Sequence, residues 1–340
     1  MTATAHGRAV PWLAVRPEGL LVVPAGVFVD PLRAVDRALV THGHADHARP
    51  GSTHVGATAE TLAIMRARYG EAAGGRLEPF AWGETRSIGG VDVTFRPAGH
   101  VLGSAQIVLE HVGTRVVVTG DYKRTPDPTC RGFEPVACDI LVTEATFGLP
   151  VFRHPPPAAE VAKLLDSLRL FPDRAHAVGV YALGKCQRLI ALLRTAGYER
   201  PIYLHGALIA LCELYEALGV PLGPLLPAGA AGKAELAGAI VLAPPSALAD
   251  RWARRLPDPV VAAASGWMRV RQRARQRGVE LPLVISDHAD WPELLATVED
   301  TDPAEVWVTH GREDALVHAV TQTGRAARAL ALVGFEDEAE

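Results

Sequence analysis

The sequence has few cysteines, no long apolar run and no large net charge. Its four cysteines lack any C-x-x-C spacing, which argues against a disulfide framework and against a thiolate zinc site. Apolar runs such as VVVTG and AIVLAP have the length of strands, so the sequence predicts no membrane partner. The N-terminal segment MTATAHGRAV lacks the charged start and the apolar core of a signal peptide, and we therefore expect a cytoplasmic protein.

The charge balance restricts how the protein could bind a polyanion. The chain has 34 basic and 38 acidic residues, a net charge of -4, which gives no general attraction to nucleic acid. Any nucleic-acid site must therefore be a local basic groove. The composition, 49% apolar and 21% charged residues, is that of a globular protein, and 340 residues favour two domains or one domain with a large insertion.

The patterning changes along the chain. Up to about residue 145 the sequence is dominated by strand-like segments bounded by Gly, Pro or Asp, namely RALVTH, VDVTFRP, AQIVLEH, TRVVVTGD and CDILVTEA. From about Pro155, strand-like segments (HAVGVYAL, PIYLHG, AIVLAPP) alternate with helical ones, which predicts a small parallel α/β unit. After WMRVRQRARQRG the strand-rich pattern returns with LPLVISDH and EVWVTHG, each followed by a helical segment.

The segment LVTHGHADHA contains His42, His44, Asp46 and His47 directly after an apolar strand. Imidazole and carboxylate groups are ligands for zinc, manganese or iron, and a loop at a strand end lets them converge. A polar surface loop with coincidental histidines would explain one or two of these residues, not all four. The pattern therefore predicts a metal site.

Three further residues follow apolar strand segments in the same way. They are His100 in RPAGHVLGS, Asp121 in VVTGDYK and His310 in VWVTHGRE. Each alone is consistent with a solvated loop or turn residue. Together with the first cluster they provide seven nitrogen and oxygen ligands, enough for two metal ions with positions left for water.

The order H-x-H-x-D-H, a later His, a later Asp and a final His resembles the metallo-β-lactamase fold, an αββα sandwich with metals at one sheet edge. TEATFG with Glu144, ISDHADW with His288 and THG with His310 are similar to three motifs of the β-CASP nucleases. That branch includes the messenger-RNA 3′-end-cleaving endonuclease and the Artemis-type DNA-repair nucleases. The segments GHVLGSAQ, GDYKR and ASGWM are most similar to those of the bacterial ligase-associated DNA-damage-response exonucleases.

The resemblance covers nearly the whole chain and implies its organisation. An α/β metallo-β-lactamase domain would be formed by residues 1–154 and 266–340. A smaller α/β β-CASP domain, residues 155–265, would be inserted between these two parts.

The resemblance also implies a role for each ligand. One ion would be held by His42, His44 and His100, the other by Asp46, His47 and His310, and Asp121 would bridge both. We expect Zn²⁺, with Mn²⁺ as the alternative. Because the two ions would activate the attacking water, no separate base is needed, and Asp46 and Asp121 count among the catalytic residues.

Two further catalytic residues and one supporting residue follow from the same resemblance. His288 would protonate the leaving oxygen, and Glu144 would hold its imidazole in the useful tautomer. Asp30, after the strand-like GVFVD, corresponds to the first motif of the fold, although Pro31 follows it where many relatives have Cys-Gly. We expect Asp30 to orient the metal-binding loop.

Phosphate binding is predicted for four other residues. Gly184 and Lys185 in YALGKCQRL lie at the start of a predicted helix, where backbone N–H groups attract anions, although an ordinary loop with a solvated lysine is the alternative. Ser265 lies just before the segment WMRVRQRARQR, and Arg269 lies within it. The alternate arginines of this segment would form one basic edge if it were extended, but they would spread around the surface if it were helical.

The predicted function is that of a metal-dependent DNA exonuclease in DNA repair, functionally associated with a DNA ligase and a helicase. An RNA-processing nuclease of the same fold is the alternative, and no residue that would read a 2′-hydroxyl separates the two. A small-molecule hydrolase would need neither Glu144, His288 nor the α/β insertion. A non-catalytic scaffold is disfavoured because all seven ligand positions are filled.

Overall fold

A computed structural model of the protein describes residues 10–330. Residues 1–9, from which the expectation of a cytoplasmic location was drawn, lie outside this range. None of the helices in residues 10–330 is both long and apolar enough to cross a membrane.

The strands of the described chain form three sheets. In chain order they are β1 (Leu13–Arg16), β2 (Gly19–Val22), β3 (Val27–Val29), β4 (Arg37–Leu39), β5 (His54–Thr58), β6 (Arg76–Phe80), β7 (Thr85–Ile88), β8 (Val91–Pro97), β9 (Ala105–His111), β10 (Thr114–Val118), β11 (Ile140–Ala145), β12 (His176–Gly179), β13 (Ile202–Leu204), β14 (Leu225–Pro227), β15 (Ile240–Ala243), β16 (Val260–Ala264), β17 (Leu281–Leu283), β18 (Glu305–Gly311) and β19 (Ala326–Ala329).

The helices lie between these strands. In chain order they are α1 (Ala59–Tyr69), α2 (Pro157–Leu170), α3 (Lys185–Thr195), α4 (Gly206–Ala217), α5 (Lys233–Leu236), α6 (Pro245–Leu248), α7 (Arg271–Gln276), α8 (Trp291–Thr301) and α9 (Glu313–Gln322). Three 3₁₀ helices are also present, at Gly70–Ala73, Arg251–Arg255 and Gly266–Arg269.

The chain divides into two compact units. Among the described residues, the first comprises residues 10–126, Cys130–Phe152 and residues 288–330. Among the described residues, the second comprises Asp127–Thr129 and Arg153–Asp287.

The first unit contains two sheets that share a core. One sheet has the strand order β1-β2-β3-β4-β5-β6 and the other β19-β18-β11-β10-β9-β8-β7. Side chains from both sheets form one buried cluster, which includes Leu39 and Phe80 from the first sheet and Phe95, Ile107 and Trp307 from the second. This is the packing of a two-sheet sandwich.

Both sheets are also covered on their outer faces. In β18, Trp307 faces the shared core while its neighbours Val306 and Val308 pack with residues of α8 and α9 on the other face. On the first sheet, Ala38 and Val55 pack with residues of α1. Because these strands are buried on both faces, they appear as continuous apolar runs in the sequence. The predicted αββα arrangement is confirmed.

The second unit is a parallel sheet of order β14-β13-β15-β12-β16-β17. Helix α4 packs against β13 and β15, and α6 packs against β12. The predicted parallel α/β unit is therefore confirmed. Its sheet continues past the predicted end at residue 265, because β17 pairs with β16 through Ala264 and Leu283. The exact limits 1–154, 155–265 and 266–340 stay a prediction.

The arginine-rich segment WMRVRQRARQR is helical. It forms the 3₁₀ helix Gly266–Arg269 and then α7, so the alternative of one extended basic edge is wrong. The side chain of Arg273 lies over the ring of Trp267, with its guanidinium carbon 4.0 Å from the ring centroid. This stacking and the buried Ala274 anchor α7 to the unit.

A buried carboxylate connects the loop after β10 to the start of α8. Glu293 accepts hydrogen bonds from Lys123 Nζ at 2.6 Å, from the Thr125 backbone N–H at 2.8 Å and from the Asp290 backbone N–H at 3.1 Å. The Asp290 side chain accepts in return from the Glu293 N–H, a reciprocal helix cap. Burial acts to raise the pKa of Glu293, but the Lys123 charge and the hydrogen bonds from Lys123, Thr125 and Asp290 together outweigh it and lower that pKa below its usual value.

Glu293→Gln should destabilise the metal-free protein by about 3 kcal/mol at pH 7, because it leaves the ammonium of Lys123 buried without its counter-charge. Since the folded-state pKa of Glu293 is lowered, this stabilisation is present above its usual value of 4.5 and is lost as the pH falls through the folded-state pKa. Urea unfolding of both proteins at several pH values would measure the difference.

Glu110→Gln is the matched control, because Glu110 pairs with Arg115 on the exposed surface and should contribute less than about 1 kcal/mol. A destabilisation by Glu293→Gln that is as large at pH 4 as at pH 7 would contradict the assignment of the stabilisation to the ionised carboxylate.

Candidate metal centre

The predicted ligands lie where strands of the first unit end. His42, His100 and Asp121 each follow the last residue of a strand by three positions, after β4, β8 and β10. Strands β10, β11 and β18 are parallel neighbours, so their carboxyl ends lie at one edge of the sheet. This shared edge explains why residues far apart in sequence converge.

The backbone of β18 brings His310 to this edge. In the pairing with β11, Glu144 lies opposite Thr309 and Ala145 opposite Gly311, so His310 is the extra residue of a β-bulge. His310 has φ 35°, a conformation uncommon for a residue with a side chain. Gly311 has φ 87°, and a Cβ there would lie 2.2 Å from the Ala145 carbonyl oxygen. The glycine of THG is therefore required by the bulge.

Three histidines form the first group of donor atoms. His42 Nε2 lies 3.1 Å from His44 Nδ1, which lies 3.0 Å from His100 Nε2. Asp121 Oδ2 lies 3.4 Å from His42 Nε2 and 3.8 Å from His100 Nε2. Tetrahedral zinc with bonds of about 2.0–2.1 Å separates its ligand atoms by about 3.3 Å. The spacing and the chemistry of these donors thus fit a divalent ion.

A second group shares Asp121 with the first. His310 Nε2 lies 2.8 Å from Asp121 Oδ1, and His47 Nε2 lies 3.5 Å from Asp121 Oδ2. Asp46 lies at the edge of this group, with Oδ2 3.5 Å from His47 Nε2 and its side chain 24% exposed. The two oxygens of Asp121 therefore approach histidines of both groups, as a bridging carboxylate requires.

The electrostatics of the cluster favour an ionised Asp121. Burial acts to raise the pKa of Asp121, but the imidazoles of His47 and His310 outweigh it and hold that pKa well below its usual value. Burial, followed by the proximity of His47, lowers the pKa of His42 well below its usual value. His42 is therefore in the neutral form that a metal ion binds.

Asp30 supports the metal-binding loop from behind. Its Oδ1 accepts from the Thr41 backbone N–H at 2.8 Å, and its Oδ2 lies 2.6 Å from Thr41 Oγ1 and 2.8 Å from His47 Nδ1. Asp30 thus contacts the ring nitrogen of His47 that faces away from Asp121. Supporting carboxylates of this kind fix the orientation of a ligating imidazole.

Protonation of His47 opposes metal binding at the second group. Burial alone would lower the pKa of His47, but the neighbouring carboxylates, first those of Asp121 and Asp46, raise it well above its usual value. Metal binding has to displace this proton. The affinity of the second group for metal therefore falls as the pH falls.

His288 and Glu144 form a pair beside the two groups. His288 Nδ1 lies 3.0 Å from Glu144 Oε2 and 3.2 Å from Oε1, and 3.9 Å from Asp121 Oδ2. Glu144 is fully buried in β11 and also accepts from the Tyr122 backbone N–H at 2.8 Å. The His288 side chain is 11% exposed and is held in place by a fixed carboxylate.

The four residues predicted to bind phosphate belong to the second unit. Gly184, with φ 85°, precedes the first residue of α3, Lys185, so the predicted helix start is confirmed. Lys185 is buried, and its Nζ lies 3.6 Å from Asp287 Oδ1 and 4.7 Å from the centroid of the Tyr181 ring. The alternative of a solvated lysine is therefore wrong. The sequence did not predict Asp287 as a partner of Lys185, although Asp287 directly precedes His288 in ISDHADW.

The other two residues flank the 3₁₀ helix Gly266–Arg269. Ser265 is buried, and its hydroxyl accepts from the Trp267 backbone N–H at 3.2 Å, so it caps this helix. Arg269 is exposed. Their roles in phosphate binding stay predictions.

The sequence is similar to one family of known domains and to several named proteins. Residues 11–175 match the family described as beta-lactamase superfamily domain. A protein named probable DNA ligase from Opitutus terrae is 30% identical over 334 residues, which cover 94% of this chain and 31% of that protein.

Two eukaryotic relatives match a shorter part of the chain. The endoribonuclease ysh-1 of Neurospora crassa is 32% identical over 41% of this chain and 17% of its own length. Cleavage and polyadenylation specificity factor subunit 3 of Dictyostelium discoideum is 31% identical over 40% of this chain and 19% of its own length. The chain thus spans less than a third of each of these curated relatives.

A solved structure shares the fold at low sequence identity. It is the crystal structure of a protein of unknown function from Enterococcus faecalis V583, with a TM-score of 0.57 and 15% identity over 87% of this chain and 79% of that one. The match to the beta-lactamase superfamily domain thus covers residues 11–175, and the chain has the metallo-β-lactamase fold with an inserted α/β domain.

Proposed function

We propose that this protein is a metal-dependent phosphodiesterase that degrades DNA from an end and acts in DNA repair. The observation that carries the proposal is the shared carboxylate of Asp121, which lies within 4 Å of histidines from both donor groups beside the His288–Glu144 pair. Paired metal sites of this kind are suited to in-line displacement at a phosphodiester.

Each ligand then has a defined place. His42, His44 and His100 would hold one ion, His47, His310 and Asp46 would hold the other, and Asp121 would be shared by both. Two divalent ions, Zn²⁺ first and Mn²⁺ as the alternative, would supply Lewis acidity and an activated water. Asp30 keeps His47 oriented through its Nδ1.

His288 supplies the proton that the leaving oxygen needs. Its Nδ1 is engaged by Glu144, so the transfer runs through Nε2. Because Glu144 is fully buried and held by the Tyr122 N–H, it fixes the tautomer and the ring position of His288. Glu144 is therefore a positioning residue, whereas His288 touches the reacting atoms.

The second unit serves the same reaction in this proposal. We assign the β-CASP insertion to residues 155–265 and their continuation through β17. Gly184, Lys185, Ser265 and Arg269 contact substrate phosphates, and Lys185 does so as one half of the pair with Asp287. DNA is preferred because the relative that matches 94% of this chain is named a probable DNA ligase. A DNA ligase, and with it a helicase, is accordingly the proposed functional partner.

An RNA-processing nuclease is the second candidate. Two relatives that match about two fifths of the chain are named as an endoribonuclease and as a subunit of a cleavage and polyadenylation factor. These matches cover about two fifths of this chain, against 94% for the probable DNA ligase, which is why they carry less weight here.

The test uses single-stranded DNA and RNA of one sequence, labelled at either end, with metal-depleted protein reloaded with Zn²⁺, Mn²⁺ or Mg²⁺. We expect mononucleotides released from DNA with Zn²⁺ or Mn²⁺. Cleavage of RNA alone would favour the second candidate. If neither strand is cleaved although two ions are bound per chain, the proposal is wrong.

A further inference from the structure

A crevice in the second unit lies on one face of the parallel sheet. Its volume is about 400 Å³, within the usual range of ligand sites of about 300–1,000 Å³. Gly179 of β12 and Val261 and Ala263 of β16 line it from the sheet, Leu248 of α6 lines one side, and Met268 lines the other. The small side chains of the sheet residues leave the space that a larger residue would fill.

The crevice occupies a position in the topology where parallel sheets bind ligands. β12 has β15 on one side and β16 on the other, and the chain passes from β15 through α6 to β16. The direction of winding therefore reverses at β12. Ligands of open α/β sheets bind near the carboxyl ends of strands at such a reversal.

Both sides of the crevice continue into arginine-rich segments. Residues 251–277 contain eight arginines and one acid, Asp258, a net charge of +7 in a chain whose total is -4. Arg251 begins a 3₁₀ helix two residues after Ala249, which lines the crevice, and Arg277 lines the opposite side. Seven of the eight arginines are exposed, and Arg273 is half-buried against Trp267.

Two acids within or next to this segment pair with an arginine outside it. Asp258 and Glu280 both pair with Arg174, at 3.1 and 3.2 Å. Asp250 caps the 3₁₀ helix by accepting from the Arg251 backbone N–H at 2.6 Å. Within residues 10–330, no acidic side chain lies within 4.0 Å of the guanidinium groups of Arg251, Arg254 or Arg271. The apolar crevice is therefore flanked by two segments, residues 251–255 and 269–277, that both have a net positive charge.

We propose that this arginine-bordered crevice is a binding site for single-stranded nucleic acid, which places one base in the crevice and phosphates against Arg251 and Arg277. A nucleotide has the matching chemistry, an apolar base face joined to an anionic backbone. The inference rests on the proposed function, because it takes the substrate class from there. It adds a contact surface made by the second unit alone.

The charged part of the site is tested by Arg251→Gln/Arg277→Gln, one substitution on each side. Binding of labelled oligothymidylate and oligouridylate to the full chain is measured in chelator, so that no strand is cleaved. Each lost contact to a single strand lowers the slope of log affinity against log salt by about 0.7, so we expect a fall of about 1.4 and about tenfold weaker binding at 0.15 M salt.

Arg169→Gln/Arg200→Gln is the matched control, because both arginines are exposed and lie before β12 and β13, at the amino ends of the strands. It removes the same charge and should leave affinity and slope unchanged. Equal slopes for the wild type and Arg251→Gln/Arg277→Gln would overturn the inference. An equal loss of affinity and slope in the control variant would also overturn it, because the effect would then come from the net charge of the protein and not from these two arginines.

The crevice is tested separately from the charge. Wild-type protein should bind oligothymidylate at least about fivefold more tightly than an abasic strand of equal length, because the abasic strand has phosphates but no base. Ala263→Leu, which fills the crevice, should remove this preference and keep the salt slope. If the variant does not fold, the abasic comparison in the wild type decides. If the wild type binds oligothymidylate and the abasic strand with equal affinity, no base enters the crevice. The same conclusion would follow if polyglutamate of equal charge displaced both strands.

Failure of this inference is distinct from failure of the proposed function. The Arg251→Gln/Arg277→Gln variant should hydrolyse a nitrophenyl phosphodiester at the wild-type rate when loaded with metal, because neither arginine belongs to the metal centre. If the wild type cleaves nucleic acid and the variant binds it unchanged, the inference alone is wrong. If the loaded wild type neither binds nor cleaves any strand, the proposed function is wrong with it.

Discussion

Asp121→Ala should abolish hydrolysis and release both metal ions. The two oxygens of Asp121 approach His310 on one side and His42 and His47 on the other, so one substitution removes a ligand from each donor group. Removal of a carboxylate that merely supports a ligand costs about 10- to 100-fold in metal affinity. Loss of a shared ligand should cost more. Metal content per chain, measured after gel filtration, is the direct readout.

Metal binding in two further variants should be affected less than in Asp121→Ala. Asp30→Ala removes the carboxylate behind His47 and should weaken metal binding by about 10- to 100-fold while leaving all seven ligands present. Asp36→Ala removes an acid that is 76% exposed in the same unit and should change neither metal content nor activity. Two tightly bound ions in purified Asp121→Ala would refute the bridging role.

The convergence of the metal ligands could be foreseen because each lies at the end of an apolar strand. His42, His100 and Asp121 follow β4, β8 and β10 at the same spacing, and strand ends at one sheet edge meet in space. The sandwich was expected from the family resemblance of the H-x-H-x-D-H motif. The residue patterns alone predicted strands, such as those containing VVV in β10 and ILV in β11, whose burial on both faces fits these apolar runs.

The contacts that support the site could not be foreseen in the same way. Glu293 is 170 positions from its partner Lys123, and neither lies in a pattern whose period indicates the other. Lys185 was predicted to face substrate or solvent, but Asp287, 102 residues away, pairs with it in a buried position. Such pairs depend on the packing of distant segments, which local residue patterns do not reveal.

The conformation of the arginine-rich segment was likewise undetermined. In RVRQRAR, arginines at alternate positions fit a strand by period, and arginine and glutamine favour a helix by propensity. The structure has a short helix, held by the Arg273–Trp267 stack and by the buried Ala274. Tertiary contacts therefore decided between two local preferences of similar strength.

His288→Ala should leave both metal ions bound and slow turnover of nucleic acid by roughly 10²- to 10⁴-fold, the usual contribution of general acid catalysis. His288 Nδ1 is engaged by Glu144 at 3.0 Å, and the two donor groups that share Asp121 do not include His288. Asp121, Glu144 and His288 form another group that could hold an ion, which is why metal content has to be measured. Metal content and single-turnover rates on labelled DNA would be measured together. His318→Ala, an exposed histidine on α9, is the matched control and should behave as wild type.

The choice of leaving group separates acid catalysis from other roles of His288. A nitrophenolate is a good leaving group and departs without being protonated. The rate defect of His288→Ala should therefore largely disappear on a nitrophenyl phosphodiester, because that reaction needs no general acid. Glu144→Gln keeps a hydrogen-bond acceptor at 3.0 Å from Nδ1 but removes the charge, so it should show a smaller defect with the same dependence on the leaving group. Equal losses on both substrates, or loss of a metal ion, would instead make His288 a ligand or a structural support, because neither role depends on the basicity of the leaving oxygen.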